Sequence, residues 1–417
     1  MATPGRIALS ARRTARSLWF RPAAYALAAV AANLAAPALD VVVPAGLSGR
    51  IDEGDVDRLL GVLASSMLAV AIFSLGTLVT ALDAASSSAT PRARSLLTED
   101  GTAQNAISTF IGAFLFSVLG LAGLSMGMFG PGGRAFMFGL GLLLVGVVVA
   151  TLVGSIRRLS NMGGVGEAVD VVERATARAL AALARRPFAG GREGALPEGG
   201  VILTADRFGA VQMIDAGRLC ALAEAHGLTV HLALRVGAQT HPARALARVV
   251  GAPDAATLDA LRRAFVIGDA RTFEHDPRFG LLALSEIASR ALSPAVNDPG
   301  TAIDVIATQT RLLAGWRVAA AEAEPPHPRL FAPPVAAEDL LGDAFRAVGR
   351  DGAGQIEVQV KLHKARGALG GAHPSALAPA ARARRARAAA RAAAAMSLPA
   401  DRERIAALRR DLGLAPG

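Results

Sequence analysis

The stretch LLGVLASSMLAVAIFSLGTLVTAL, residues 59–82, contains no Asp, Glu, Lys, Arg or His. A helix needs about 20 mostly apolar residues to cross the hydrocarbon layer of a bilayer, so this stretch predicts a transmembrane helix. Three further windows before residue 160 have the same character: PAAYALAAVAANLAAPAL (22–39), AISTFIGAFLFSVLGLAGLSMGM (106–128) and AFMFGLGLLLVGVVVATLVGS (135–155). The predicted fold class is an α-helical membrane protein with four transmembrane helices and a cytoplasmic α+β region.

The first of these windows is the least regular of the four. It is rich in alanine and is interrupted by Asn33 and Pro37. A cleaved signal peptide is the alternative interpretation. Because the window has no clear cleavage site and three further spans follow it, we interpret it as a span.

The arginines that flank the windows predict the orientation. Cytoplasmic loops carry an excess of Lys and Arg, and nine arginines flank one side of the predicted bundle against three on the other. The nine are Arg6, Arg12, Arg13, Arg16, Arg21, Arg92, Arg94, Arg157 and Arg158, and the three are Arg50, Arg58 and Arg134. We therefore expect a multi-pass protein of the bacterial inner membrane with both termini in the cytoplasm.

Polar and small residues inside the windows leave two roles open. The absence of ionisable residues disfavours a proton-coupled pump, because such residues mark proton relays in membranes. Gly123 and Gly127 form a GxxxG pair, which favours close helix packing within the chain or self-association. Four polar residues could line a permeation path or form hydrogen bonds between helices: Asn33, Ser65, Ser66 and Ser74.

The remaining residues predict a folded region after the membrane domain at 1–157. Residues 158–195 read as a helical linker, and 196–252 alternate in the manner of strands, with a short helix ending at Gly227. This β-rich segment resembles small β-sandwich modules of the biotinyl or lipoyl kind, but it has no Lys to act as a carrier arm. Residues 253–417 are predicted to form a helical cytoplasmic domain in which Asp254 is a helix N-cap.

The stretch SRALSPAVNDPGTAID, residues 289–304, interrupts two apolar helical patterns. Pro294 and Pro299 prevent one helix from continuing through it. Asp298 followed by Pro299 is a helix start signal, because the carboxylate caps free amides and proline fits the first turn. The stretch therefore predicts a helix, a tight polar turn and a second helix.

Two stretches together resemble a bacterial membrane family known as domain of unknown function 2254. They are SMLAVAIFSLGTLVTALDAASSSATPRARSLLTEDGTAQNAISTFIGAFLFSVL (66–119) and RTFEHDPRFGLLALSEIASRALSPAVNDPGTA (271–302). The second stretch matches a signature of R-T, D-x-x-F-G, a helix and A-L-S-P-x-x-N-D-P-x-T-A. The resemblance runs from about residue 15 to 400 and implies the membrane architecture, but no activity, cofactor or substrate.

The polar residues of this signature are the candidate site. They are Arg271, Thr272, Asp276, Arg290, Ser293, Asn297, Asp298 and Thr301. In the structural interpretation, Asn and Asp bond to their own backbone, and Arg271 or Arg290 pairs with Asp298 to hold the two helices at a fixed angle. In the functional interpretation, the turn binds an ion, a lipid headgroup or a small anion at the helix start after Pro299.

Other motifs give no metal, cofactor or catalytic site. Glu274, His275 and Asp276 are consecutive, and consecutive residues rarely bind one metal ion together. The G-x-S-x-G letters at 123–127 lie in an apolar span without a histidine, and no Walker A, Rossmann or HExxH motif occurs. The run ARARRARAAAR (381–391) indicates a solvated helix face or contact with anionic headgroups, and no nucleic acid partner is expected.

Two functions follow as hypotheses. In the first, the protein is a homo-oligomer in the lipid bilayer whose spans form a channel-like or permeation path, with the cytoplasmic region as a vestibule or gate. In the alternative, it is a non-transporting scaffold or sensor that binds a partner through the SPAVNDP turn. We expect no enzymatic activity in either case.

Overall fold

The computed structural model describes residues 19–41, 51–88, 90–98, 101–159, 164–316, 326–372, 377 and 388–412. The chain divides into two compact units, Met1–Glu167 (unit 1) and Ala168–Gly417 (unit 2). The arginines before residue 19 and most of the run 381–391 lie outside the described ranges.

Unit 1 consists of long apolar helices. Its helices are α1 (Phe20–Ala35), α2 (Glu53–Ser88), α3 (Pro91–Thr98), α4 (Gly101–Ser125) and α5 (Pro131–Leu159), and a 3-10 helix at Ala36–Val41 follows α1. Four segments are long and apolar enough to cross a membrane: Phe20–Leu39, Glu53–Thr80, Gln104–Ser125 and Pro131–Gly154. The prediction of four potential spans is confirmed.

Polar contacts at the helix starts show that successive spans alternate in direction. Arg21 at the start of α1 donates from Nη1 to Oδ1 of Asn105 near the start of α4, at 2.7 Å. Arg134 at the start of α5 donates from Nη1 to Oε2 of Glu53 at the start of α2, at 3.4 Å. Helices α1 and α4 therefore begin on one side of the unit, and α2 and α5 begin on the other.

Helix α4 is the central helix of unit 1, and its glycines allow close packing within the chain. It packs against α1, α2 and α5. A methyl group at Gly120 would lie 2.7 Å from side-chain carbons of α2 and α5, and one at Gly123 would lie 2.6 Å from the Phe129 ring. Gly127 follows the helix at a φ of +68°. Gly123 of the GxxxG pair thus serves packing inside one chain.

Unit 2 alternates helices and short strands. Its helices are α6 (Val165–Arg185), α7 (Ala216–Ala225), α8 (Ala255–Arg262), α9 (Pro277–Ala291), α10 (Pro299–Gly315), α11 (Ala337–Asp351), α12 (Ile356–Ala372) and α13 (Pro399–Asp411). Its strands are β1 (Arg192–Glu193), β2 (Val201–Thr204), β3 (Gly209–Ile214), β4 (Thr229–Leu232), β5 (Gln239–Thr240), β6 (Ala245–Val250), β7 (Phe265–Gly268) and β8 (Leu330–Ala332).

The strands form two sheets around one apolar core. A mixed five-stranded sheet has the order β1-β8-β4-β6-β2, and a smaller antiparallel sheet has the order β5-β3-β7. Val211, Val230, Leu246 and Leu330 are completely buried in the shared core. The structure therefore has strands beyond the predicted segment 196–252, because β7 and β8 come from residues assigned to the helical domain. The finer expectation of a sandwich stays a prediction.

The segment predicted as a linker, 158–195, contains helix α6, which is part of unit 2 for most of its length. One face of α6 is buried through residues such as Val172 and Leu180. A Cβ at Gly280 of α9 would overlap with Thr176 of α6, so the two helices are in close contact. An amphipathic helix with one continuous apolar face buries that face in tertiary packing, which a linker does not do.

Helices α9 to α12 pack together and position the signature residues. Helix α9 packs against α10 and α11, and α10 packs against α12. Leu281, Leu284, Ile306 and Leu362 are at most 1% exposed in this packing. Asp254 accepts a hydrogen bond from the Thr257 amide at 2.7 Å, which confirms the predicted N-cap.

Candidate functional site

The signature residues divide between the two ends of α9. Arg271, Thr272 and Asp276 precede the helix, whereas Ser293, Asn297, Asp298 and Thr301 follow it. A helix of 15 residues is about 22 Å long at 1.5 Å per residue. The signature therefore describes two separate groups of polar residues and a helix between them. Arg290 is an exposed residue in the last turn of α9.

Asp276 is the centre of the group at the start of α9. Its side chain is 2% exposed and accepts two hydrogen bonds from Arg271, from Nε to Oδ2 at 2.7 Å and from Nη2 to Oδ1 at 3.0 Å. Oδ1 also accepts the Phe279 amide at 3.1 Å, so Asp276 is the N-cap of α9. The Arg271 guanidinium lies 5.0 Å from the centroid of the Phe279 ring. The carboxylate is thus fully paired, as burial of a charge requires.

The turn after β4 packs directly against this carboxylate. Gly237 has a φ of +87°, and a Cβ at this position would overlap with Oδ2 of Asp276. Its amide donates to the carbonyl of Val211 at 2.8 Å. The turn that contains Arg235 and Gly237 is therefore held beside the start of α9.

Arg278, in the first turn of α9, binds two carboxylates of α11. Its Nε donates to Oδ2 of Asp343 at 2.6 Å, and its Nη1 donates to Oδ2 of Asp339 at 2.7 Å. No hydrogen bond from its Nη2 occurs among the described residues. Because each carboxylate holds a different nitrogen, the guanidinium has a fixed orientation.

Arg235 is the one arginine of this group without a carboxylate. Its Nε and Nη2 are shielded from water and have no hydrogen-bond partner within the described ranges. Burial, and secondarily the positive charge of Arg278, lowers the pKa of Arg235 to about 10. Both effects disfavour the charged form of the guanidinium. Arg235 is therefore a cation held next to a second cation without compensation.

The group at the end of α9 forms a capped turn. Asp298 accepts the Thr301 amide at 3.0 Å on Oδ1 and the Thr301 hydroxyl at 2.6 Å on Oδ2. These bonds, the hydroxyl bond first, hold the pKa of Asp298 below its usual value. The Ser293 carbonyl accepts the Asn297 amide at 2.8 Å, and Asn297 has a φ of +49°. The predicted helix, turn and second helix are confirmed.

The expected pairing of Arg271 with Asp298 is wrong. Arg271 pairs with Asp276 instead, at the opposite end of α9. Asp298 uses both carboxylate oxygens for its own helix start, which is the local solution for an Asp before Pro at a helix N-terminus. Thr272 lies half-buried near Asp276. The sequence alone gives no indication of which carboxylate an arginine reaches.

The residues considered for a metal site are not arranged as ligands. Glu274 and His275 are exposed, and the oxygens of Asp276 are bonded to Arg271. No group of three His, Cys, Asp or Glu side chains suited to a metal ion occurs among the residues that the structure describes.

Arg235 and Arg278 are not among the site residues predicted from the sequence. Arg278 is one of the variable positions in the D-x-x-F-G motif, and Arg235 lies in a turn 43 residues earlier. Nothing in their local sequence signals that the fold places them together, because the contact depends on the turn after β4 lying against α9.

Comparisons with known proteins agree with this architecture and add no activity. Uncharacterized proteins of Mycobacterium bovis and Mycobacterium tuberculosis are each 37% identical to this chain over 116 residues, which is 26% of the chain and 22% of the relative. The matched part is thus about a fifth of the length of these relatives. No solved structure matches the chain. The model of a family described as a predicted membrane protein matches residues 15–367. The chain belongs to this family, domain of unknown function 2254.

Proposed function

We propose that the protein is a homo-oligomer of the bacterial inner membrane in which spans of neighbouring copies enclose a permeation path. Both termini and unit 2 face the cytoplasm in this proposal, and unit 2 acts as a vestibule or gate. The excess of arginines on one side of the spans supports this orientation. The proposal includes no catalytic step and no nucleic acid partner.

The observation that carries the proposal is the distribution of small residues on α2 and α5. Methyl groups at Gly61 and Gly76 of α2, and at Gly139, Gly146 and Gly154 of α5, would meet no atom within 4 Å in the single chain. By contrast, Gly112 and Gly120 of α4 lie against neighbouring helices and Gly123 lies against Phe129, and on α5 itself Gly133 and Gly141 lie against Ala36 and Leu59. Small residues on a membrane helix allow a second helix to approach closely, so the open glycines favour contact with another copy.

The polar residues buried in unit 1 support a path between copies better than a path within one chain. Asn33 donates from Nδ2 to the carbonyls of Ala29 and Phe116, at 2.9 and 3.2 Å. Ser108 and Ser117 donate to carbonyls one turn earlier in α4, at 2.6 and 2.8 Å. The donors of these side chains are bonded to backbone carbonyls, as packing in hydrocarbon requires. Ser65 and Ser66 on α2 also donate to carbonyls of their own helix, but Ser65 is exposed and Ser66 partly exposed, which suits a path at a subunit boundary.

The test measures both the oligomeric state of the purified protein and its transport of solutes across liposome membranes. Gly146→Leu adds a bulky side chain where α5 is open, and Val147→Leu is the matched control on the adjacent position. We expect the purified wild type and Val147→Leu to form the same oligomer by light scattering and to conduct ions or small solutes in liposomes. Gly146→Leu is expected to lose both properties. A monomeric wild type, or an oligomer that passes no tested solute, contradicts the proposal.

The orientation has its own test. Gly300 is exposed at the start of α10, so Gly300→Cys in a Cys220→Ser background gives one reactive thiol. A membrane-impermeant maleimide should label this thiol only after the cells are permeabilised. Labelling in intact cells would place unit 2 outside the cytoplasm.

A second candidate function is a scaffold or sensor that docks a partner through the SPAVNDP turn. Val296 is 50% exposed at this turn, next to the left-handed Asn297, so the turn presents an apolar side chain in a fixed conformation. Asn297→Gly keeps the backbone conformation and removes the amide, whereas Asp298→Ala removes the cap. If both variants keep a partner that wild type captures from membranes, docking at this turn is rejected.

A further inference from the structure

Two guanidinium nitrogen atoms beside the start of α9, Nε and Nη2 of Arg235, are shielded from water and have no acceptor among the described residues. Nη2 of the neighbouring Arg278 also has no protein acceptor there, but it is not shielded from water. Buried polar groups in folded proteins nearly always have a partner, and a buried cation without one is costly.

Two other arginines show what the Nε and Nη2 edge binds. Arg271 presents this edge to Asp276, and Arg350 presents it to Asp351 at 2.6 and 2.9 Å. The edge provides two parallel N–H donors that match two oxygen atoms of a carboxylate or a phosphate. In Arg235 the same edge has no acceptor among the described residues. The three nearby carboxylates, Asp276, Asp339 and Asp343, are each bonded to another arginine.

We propose that Arg235 and Arg278 form a binding site for a phosphoryl group, supplied by inorganic phosphate or by the headgroup of an anionic lipid. A phosphoryl group has at least three oxygen atoms that can accept hydrogen bonds, which matches three donors on two guanidinium groups, whereas a carboxylate has two. Its negative charge compensates Arg235, whereas Arg278 already has Asp339 and Asp343 as partners. The site does not depend on the permeation path proposed above.

The surroundings hold the Arg278 side chain and the backbone of the turn that carries Arg235. Asp343 and Asp339 hold Arg278 through the two nitrogens that the ligand does not use. Gly237 holds the turn of Arg235 against Asp276. The Arg278 side chain is 36% exposed and Arg235 is partly exposed, so an anion reaches them from solvent. Binding requires the Arg235 guanidinium to turn its shielded edge toward the anion.

The experiment uses the full chain in nanodiscs of phosphatidylcholine, with inorganic phosphate titrated against chloride at equal ionic strength. Arg235→Gln removes the guanidinium and with it the two parallel N–H donors of the Nε and Nη2 edge. Arg244→Gln is the matched control, because Arg244 is an exposed arginine of the same β-rich region and, among the described residues, donates to the carbonyl of Gln239 and to no carboxylate. We expect saturable phosphate binding to wild type and to Arg244→Gln, and at least a tenfold higher Kd for Arg235→Gln. Equal binding by all three proteins would overturn the site.

A second arm separates the two sources of the group. Without phosphate, nanodiscs containing phosphatidylglycerol should raise the unfolding temperature of wild type but not of Arg235→Gln if a lipid headgroup occupies the site. If free phosphate is the occupant, only added phosphate has this effect. An unfolding temperature of wild type that responds to neither probe contradicts the proposal.

The ligand-free proteins provide a check on folding. Arg235→Gln removes an uncompensated cation, so in phosphatidylcholine without phosphate it should unfold at the same temperature as wild type or at a higher one. A lower unfolding temperature would mean that Arg235 has a partner in the protein itself, which also overturns the proposal.

Discussion

The pair of Arg271 and Asp276 offers the sharpest test of the structure. Asp276→Asn keeps an oxygen that can accept the Phe279 amide, and Asn caps helices about as well as Asp. The substitution therefore removes the negative charge while it preserves the cap and the shape. The Arg271 guanidinium is left without its counter-charge beside a side chain that is 2% exposed.

The expected loss of stability follows from the burial of the two partners. Removing one member of a fully buried ion pair costs about 3–5 kcal/mol. The Arg271 side chain is 23% exposed and can regain part of its hydration, so we expect about 2–3 kcal/mol. Asp298→Asn is the matched control, because Asp298 also caps a helix that begins with Pro but pairs with no arginine in the described part of the chain. Its loss should stay below about 1 kcal/mol.

Tryptophan fluorescence can report the unfolding of unit 2. The chain has two tryptophans, of which Trp316 at the end of α10 is 8% exposed and Trp19 is 82% exposed. In a Trp19→Phe background, urea unfolding of the full chain in detergent should give a midpoint for Asp276→Asn that is lower by roughly 1 M, with an m-value of about 2–3 kcal/mol/M.

The refuting result is a shift for Asp276→Asn as small as that for Asp298→Asn. The double variant Arg271→Gln/Asp276→Asn adds a second condition. Since it removes both charges, it should be at least as stable as Asp276→Asn alone. A double variant in which the two losses add would show that the pair is not formed.

Three further predictions concern packing, pH and thiol reactivity. Gly133→Ala should lower the unfolding temperature of detergent-purified protein, because the new methyl would lie 2.9 Å from the backbone carbonyl oxygen of Ala36. Gly139→Ala is the control, because its methyl would meet no atom within 4 Å, and equal shifts for the two variants would contradict this packing. Because the pKa of Asp298 is lowered in the folded protein, its ionised carboxylate stabilises the fold at pH values above the unfolded pKa of about 4. This stability is lost as the pH falls through the folded pKa, so Asp298→Asn should flatten the acid limb of a stability–pH curve. Burial raises the pKa of Cys220, so the thiol should react slowly with an alkylating reagent. At pH 8 we expect alkylation of Cys220 in wild type to be at least about tenfold slower than alkylation of the new thiol in Ser125→Cys/Cys220→Ser, and similar rates would refute the burial of Cys220.

The sequence by itself determined the features that depend on neighbouring residues. The four potential spans follow from uninterrupted apolar length, which is a local property of each segment. The helix starts at Asp254 and Asp298 follow from capping residues that bond within three positions. The signature at 271–302 and the helices on either side of its turn are local in the same sense, so they could be predicted without a structure.

Only the tertiary structure decided which distant residues meet. It paired Arg271 with Asp276, brought Arg235 beside Arg278, and added β8 to the sheet beside β4 from a segment about 100 residues later. It also packed most of α6, predicted as a linker, into unit 2. Such contacts depend on where the chain reverses direction and on the register of the paired strands. Strands of two to four residues are too short for an alternation of apolar and polar residues to specify the reversal or the register. For the same reason the unpartnered edge of Arg235 beside Arg278 was visible only after the fold had placed a turn against a helix.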